Sequence, residues 1–390
     1  MEAFADLARE ALRRCRLLAA CTEHPGHITR TFLSPPMHEA HRLVRAWMEG
    51  ARMQVRVDAA GNVRGLFGSG PRLLIGSHLD TVPDGGAYDG ILGVMLAIAL
   101  VECQPPCAVE VAAFSDAEGV RFGIPFLGSL AMAGTPAMDA PVLDAIRAFG
   151  LDPALLPEAA IDAGVLGFLE IHIEQGATLA GVKRPLAAVV SVGGQSRAVA
   201  RFTGKANHAA TTPMDARRDA LAAAAEWIVA VEALARTTRG LTATVGRVDV
   251  EPGAANVIPG AVRATVDARH ERDAVRIEAV RHLRARAQSI AQARQTECDW
   301  RGLCDQTTTP MDHAMVEALG AAIRAAGCPD HRMVSHASHD AMILARKVPS
   351  AMLFVRTPNG VSHHPDETVL AADVEAALDV GMKFLENWNR

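Results

Sequence analysis

No stretch of this 390-residue chain is apolar for long enough to span a bilayer. The expectation is no membrane partner. No Lys/Arg-rich stripe stands out and the net charge is −5, so nucleic acid is not an expected partner either. The seven cysteines are scattered. Cys103 and Cys107, and Cys298 and Cys304, form pairs without a zinc-ribbon pattern around them. Reduced thiols in a cytoplasmic protein are the reading that follows. The N-terminal stretch has early acids and mid-segment arginines, which suit an amphipathic helix and not a secretory signal. What is present is a globular composition, 49% hydrophobic and 21% charged, on a chain long enough for two domains.

The chain is organised around residues 76–90, GSHLDTVPDGGAYDG. They follow RLLI, a short apolar run that reads as a buried parallel strand. His78 and Asp80 flank one residue, so at an extended strand end they face the same way. Asp89 precedes GILGVMLAIAL, which reads as a buried helix. A carboxylate at that junction is well placed for function in an α/β sheet, although a lone one is more often a helix cap.

Two helices are expected first, over 3–20 and over SPPMHEAHRLVRAWMEGA. MQVRVDAAGNVRGLFG reads as a hairpin turning at AAGN. AVEVAAFS (108–115) is a strand that runs into Asp116, Ala117 and Glu118. Residues 135–165 read as helix and loop. GFLEIHIEQG (167–176) reads as a strand with Glu170, His172 and Glu174 on one face. The fold class expected is α/β: a mixed, mostly parallel sheet with helices on both faces. From residue 196 the order becomes strand, helix, strand, strand, helix, strand, the ferredoxin-like α+β arrangement. The expected division is therefore a catalytic domain over 1–196 and 306–390 and an inserted domain over 197–305.

His78, Asp89, Glu118, His172 and His363 are the candidate ligands. Imidazole plus carboxylate, without thiolate, suits Zn, Mn, Co or Ni. Five protein ligands exceed what one catalytic zinc takes, because it keeps a position open. Two divalent metal ions bridged by one carboxylate fit better, and such a pair can activate water and polarise a carbonyl. Asp80 and Glu174 are natural supports for these ligands.

The strings GSHLDTVPDGGAYDGILGV, EGVRF, LEIHIEQG, ANHAATTPMDARRDA, NVIPG, DARH and GVSHHPDE carry a resemblance. The chain resembles the hydantoinase/carbamoylase family of amidases, within the aminoacylase-like di-metal hydrolases. N-carbamoyl-L-amino acid hydrolase and allantoate amidohydrolase are members of that family. The resemblance implies that Asp89 bridges the two ions, with His78 and His172 on one side and Glu118 and His363 on the other. Manganese is the family-based choice. It also implies that the insert is a lid and dimerisation domain of a homodimer, partly completing the neighbouring subunit's site. Gln195, His208, Asn256 and Arg269 are then the substrate-binding positions. Arg269 suits a carboxylate through a bidentate fork. His208 and Asn256 suit an amide oxygen that gains charge. By their surroundings alone, Asn256 would be a turn residue and Arg269 a surface ion-pair partner.

The chain departs from the family pattern at one place that matters. The family carries two adjacent acids before the glycine of EGxRF, the first being the general base. Here Ala117 holds that position and has no proton acceptor. An engineered Glu-to-Ala change and a natural loss of hydrolysis are the two explanations, and the intact remaining positions favour the first. The loop SHASHDA (335–341) carries His336 and Ser338 where relatives carry glycine, and His339 is a candidate support or substrate contact. The reading is an amidohydrolase of the carbamoyl (ureido) C–N bond of a small acid. The rivals are an N-acyl amino acid or dipeptide hydrolase and a metal-dependent binding protein without turnover.

Overall fold

The computed structural model describes residues 2–135 and 138–388. Its contacts divide the chain into Met1–Val190 with Pro310–Arg390, and Ser191–Thr309. The division lies outside the strand Gly194–Thr203, which the expected boundary at 196/197 would cut.

In the first unit, four parallel strands form the centre of the sheet. Their order is Ala108–Phe114, Arg72–His78, Val165–Ile173 and Ser350–Val355. Every residue of Arg72–His78 is buried, as a strand covered on both faces requires. An antiparallel hairpin, Gln54–Val57 with Val63–Phe67, extends one side. On the other side, Leu186–Val192 pairs antiparallel with Ser350–Val355. Leu186–Val192, Arg332–Ser335 and Ser350–Val355 have no counterpart among the expected strands. Leu186–Val192 and Ser350–Val355 are apolar without a period-two alternation, and Arg332–Ser335 is only four residues long, so the pattern rule had little to detect.

The helix Ile91–Glu102 is apolar all round and buried from Ile91 to Val101. It lies against the sheet on one side and against helices Glu2–Ala19 and Ala371–Glu386 on the other. Gly93 permits the approach: a Cβ there would meet Ile171 O at 1.9 Å. Among the described residues, no helix is long and apolar enough to cross a membrane. The expected helix-and-loop region, 135–165, resolves into helix Ala140–Ala148 and the 3-10 turn Pro153–Ala159, and a short helix, Leu127–Met132, precedes it. Residues 136 and 137 of that region lie outside the described residues.

The second unit holds an antiparallel sheet in the order Val248–Glu251, Ala261–His270, Gly194–Thr203, Glu297–Gln306. Helices Ala220–Thr237 and Asp273–Ala293 cover one face around Phe202, Trp227 and Leu283. The single strand expected over 241–250 is two, Thr242–Thr244 and Val248–Glu251, both paired to Ala261–His270. The break falls at residues 245–247, around Gly246, where a strand weakens.

Candidate metal centre

All five candidate ligands lie past or at the carboxyl ends of the four parallel strands. His78 ends its strand, Glu118 follows Phe114, His172 precedes Ile173, and His363 sits in the loop after Val355. Asp89 stands two residues before the helix Ile91–Glu102. Open α/β sheets gather ligands at this edge, because the connecting loops leave a crevice there.

The geometry about Asp89 is close. The Nε2 atoms of His78 and His172 are 3.4 Å apart. His172 Nε2 is 3.3 Å from Asp89 Oδ1. His363 Nε2 is 3.1 Å from Asp89 Oδ2 and 3.5 Å from Glu118 Oε1. His78, Asp89 and His172 form one group whose ligand atoms all lie within 4.8 Å of one another; Asp89, Glu118 and His363 form another. The shared member of the two groups is Asp89.

The chemistry of these donors fits divalent cations. His78 Nδ1 lies 3.0 Å from the Asp80 carbonyl oxygen and 3.2 Å from Asp80 Oδ1. His172 Nδ1 lies 2.9 Å from the Ile173 carbonyl oxygen. Acceptors on both Nδ1 atoms put a proton on each and turn both Nε2 atoms toward each other beside a carboxylate. Burial would lower the His78 imidazole, but its bond to Asp80 and the charges of Asp80, Asp89 and Glu118 raise it well above its usual range. A divalent cation there would take the place of the proton that His78 holds. The charges agree. Burial alone would raise the Asp89 carboxyl, but His363, His172 and His78 hold it well below the usual range. Hydrogen bonds to Asp89 and then Glu118 push His363 up to about 10. Burial pushes His172 down to about 4.

Several residues fix this set. Asp80, fully buried, accepts from the backbone N–H of Ala117 at 2.8 Å and of Glu118 at 3.0 Å. It therefore ties the His78 strand end to the Glu118 turn. Gly90 has φ +67°, and a Cβ there would meet the His78 ring at 2.5 Å, so the turn after Asp89 admits only glycine without moving that ligand. Glu367 Oε1 accepts from the N–H of Tyr88 and Asp89 at 2.9 and 3.0 Å, and its Oε2 accepts from Ser362 Oγ at 2.8 Å. It joins the Asp89 loop to the His363 loop. Asp80, Asp116, Glu170 and Asp340 are all at most 1% exposed. Burial pushes Asp116 and Glu170 well up, and Asp340 up to about 7. So many carboxyls packed beside imidazole favour a cation nearby.

His339 is buried, with Nε2 2.9 Å from Ser335 Oγ and its ring edge-on to His172 at 4.5 Å. It is not a solvated loop histidine. Glu174 departs from expectation. Its carboxylate accepts from the N–H of Thr178 and Leu179 at 2.6 and 2.9 Å, so it caps the turn Thr178–Val182. The strand ends at Ile173, and left-handed Gln175 turns the chain away, so the period-two face stops short of Glu174. Ala117 is buried and presents only a methyl group. Asp116 does not replace it: its carboxyl faces Leu127 N–H at 3.4 Å, inside the protein.

The remaining expected site residues lie in the second unit and form two pairs. Gln195 and Arg269 are cross-strand neighbours. Arg269 donates from Nε and Nη2 to Asp267 at 2.9 and 3.1 Å, and Gln195 Nε2 donates to the same carboxylate at 2.8 Å. Arg269 thus already grips a carboxylate in the forked manner expected of it. His208 pairs with Val257, beside Asn256, whose carbonyl accepts from Ala209 N–H at 3.0 Å. His208 Nδ1 accepts from the N–H of Ala210 and Thr211 at 3.1 and 3.3 Å. The ring therefore carries its proton on Nε2, as a donor to an oxygen. Sequence reasoning missed Asp267, Gln175 and Glu367. The last two stand inside the strings LEIHIEQG and GVSHHPDE, but nothing in their spacing marks them.

Residues 74–387 match the description Peptidase family M20/M25/M40. Allantoate deiminase of Arabidopsis thaliana is 36% identical over 98% of this chain and 83% of its own length. N-carbamoyl-L-amino acid amidohydrolase of Geobacillus stearothermophilus is 36% identical over 91% of this chain and 92% of its own. The crystal structure of a hydantoinase/carbamoylase family amidase from Burkholderia multivorans superposes with a TM-score of 0.87 at 28% identity, over 97% of both chains.

Proposed function

The chain belongs to peptidase family M20/M25/M40, among the hydantoinase/carbamoylase amidases, and on that premise we propose that it is a two-metal amidohydrolase of small ureido acids. An N-carbamoyl-L-amino acid and allantoate are the substrates this reading names. The observation that carries it is Asp89, set between the His78–His172 pair and the Glu118–His363 pair. His78 and His172 with Asp89 would hold one ion, and Glu118 and His363 with Asp89 the other. When bound, the ions would supply Lewis-acid polarisation of the scissile carbonyl and lower the pKa of water. Manganese is the metal of choice for the reading.

The chain's own residues do the rest. Asp80 holds His78 in the tautomer that leaves Nε2 free, and it fixes the backbone of residues 117 and 118. Arg269 offers a fork, and Gln195 an amide N–H beside it, for the acid's carboxylate in place of Asp267. His208 offers an Nε2 proton, and Asn256 an amide, to an oxygen that gains charge. Position 117 is where a base would take a proton and pass it to the leaving nitrogen. With Ala117 there, hydrolysis is slowed on the order of 10²–10⁴-fold or more. The same methyl group favours a second reading, a protein that binds a ureido acid and does not turn it over. Ammonia release by the Ala117→Glu variant separates the two.

The reading also makes the protein a homodimer joined through the insert. Its strand Glu297–Gln306 stands at the sheet edge, and Val229 on the helix Ala220–Thr237 is 67% exposed beside Ala233 and Leu234.

A further inference from the structure

Gln175 follows the His172 strand and turns the chain with φ +60°, a conformation that costs any residue with a Cβ. Its backbone N–H donates to Thr357 Oγ1 at 3.2 Å. Its side-chain Nε2 lies 3.0 Å from Asp89 Oδ1, 3.1 Å from Asp89 Oδ2 and 3.3 Å from His363 Nε2. Its Oε1 is buried and has no hydrogen-bond partner among the described residues. A left-handed backbone and an orphaned buried acceptor are both local costs. They are borne at a position where a hydrocarbon side chain would avoid the second of them. The amide's N–H groups, aimed at both oxygens of one carboxylate, are what is gained.

We propose that Gln175 is a positioning residue of the metal centre: its amide, beside His363, sets the rotation of the Asp89 carboxylate so that one carboxylate serves both ligand groups. This rests on the two-metal reading above. A carboxylate that bridges must present one oxygen to each side. Asp89 receives backbone support from Glu367 on its N–H, which fixes the loop but leaves the carboxylate free to turn about χ2. Imidazole on either side pulls each oxygen separately. The amide that touches both oxygens together is Gln175, and it also touches His363. It touches neither His78 nor His172 among the described contacts. Its action is therefore weighted to the Glu118–His363 side. Hydrogen-bonding partners of metal-ligating carboxylates commonly govern affinity by about 10–100-fold.

The test is calorimetric titration of Mn²⁺ into chelator-stripped protein, comparing the parent chain with Gln175→Met, which keeps the volume and removes the amide. Melting of both metal-free proteins accompanies it. The expected result is two binding steps in the parent. In the variant one step weakens by about 10–100-fold while the other moves by less than about threefold, and the metal-free melting temperature stays within a few degrees. Unchanged affinities overturn the inference. So does equal weakening of both steps with a large fall in melting temperature, which marks a structural role. A parent that binds no Mn²⁺ instead overturns the two-metal reading, and the inference falls with it. Gln175→Ala provides the same comparison if the methionine variant does not fold.

Discussion

The Nε2 of His78 lies 3.4 Å from the Nε2 of His172, and each ring's Nδ1 faces a backbone carbonyl oxygen. In the metal-free protein the carboxylates of Asp80, Asp89 and Glu118 favour a protonated His78, and a divalent cation held by these Nε2 atoms and Asp89 would replace that proton and bind the folded chain alone. Mn²⁺ should therefore raise the melting temperature of stripped protein. At a free concentration a hundredfold above the dissociation constant the gain is about 2.7 kcal/mol. His172→Ala should abolish most of that gain, and thermal unfolding with and without Mn²⁺ checks it.

Gly90→Ala should weaken metal binding without touching a ligand directly. Its φ of +67° and the 2.5 Å approach to the His78 ring force either the turn or the imidazole to move. A left-handed alanine costs about 1–3 kcal/mol. Mn²⁺ titration beside melting should show both losses together.

Glu110 lies between Arg64 and Arg72 at the far end of the strands, accepting from Arg64 Nε at 2.7 Å and from Arg72 Nε at 2.6 Å. The side chains of Arg64 and Glu110 are 1% and 4% exposed. Glu110→Gln leaves buried arginine under-compensated and should cost about 3–5 kcal/mol. Urea unfolding measures it, and the metal affinity should not change.

His41 contributes to the acid limb of the stability, beside the similarly lowered His172. Burial pushes its imidazole down from 6.5 to about 4, and its Nε2 has no partner among the described residues. The folded protein thus keeps His41 neutral while the unfolded chain takes up a proton. Stability from this source is full above pH 6.5 and is lost as pH falls toward 4, by about 3 kcal/mol in all. His41→Leu should flatten the fall of stability between pH 7 and pH 4.5, read from urea midpoints at each pH.

The dimer contact proposed for the insert is tested by Val229→Asp. A charge on that exposed apolar helix face should shift the protein toward monomer, followed by sedimentation across a concentration series.

Much of the candidate site was legible as a set of neighbours because its residues sit where periodic elements stop. His78 ends a continuous apolar run, Asp89 precedes an apolar helix, and His172 lies on a short apolar strand; these patterns survive without a structure. The ferredoxin-like insert was legible too, since its helices are long and its strands alternate. Three short strands of the first unit were not: Leu186–Val192 and Ser350–Val355 are largely buried and lack alternation, and Arg332–Ser335 is only four residues long. Supports were hidden for another reason. Glu367 and Gln175 act across 278 and 86 residues of chain, and only folding makes them neighbours of Asp89. Glu174 looked equivalent to His172 by spacing, and one left-handed residue after the strand sent it elsewhere.

The central claim is tested most directly by ammonia release. The Ala117→Glu variant and the parent chain, both loaded with Mn²⁺, would be assayed on allantoate, N-carbamoyl-L-amino acids, β-ureidopropionate and ureidoglycolate. The account predicts ammonia from at least one of them with the variant, at a rate on the order of 10²–10⁴-fold or more above the parent. Silence from a folded, metal-loaded variant on all four substrates would contradict it.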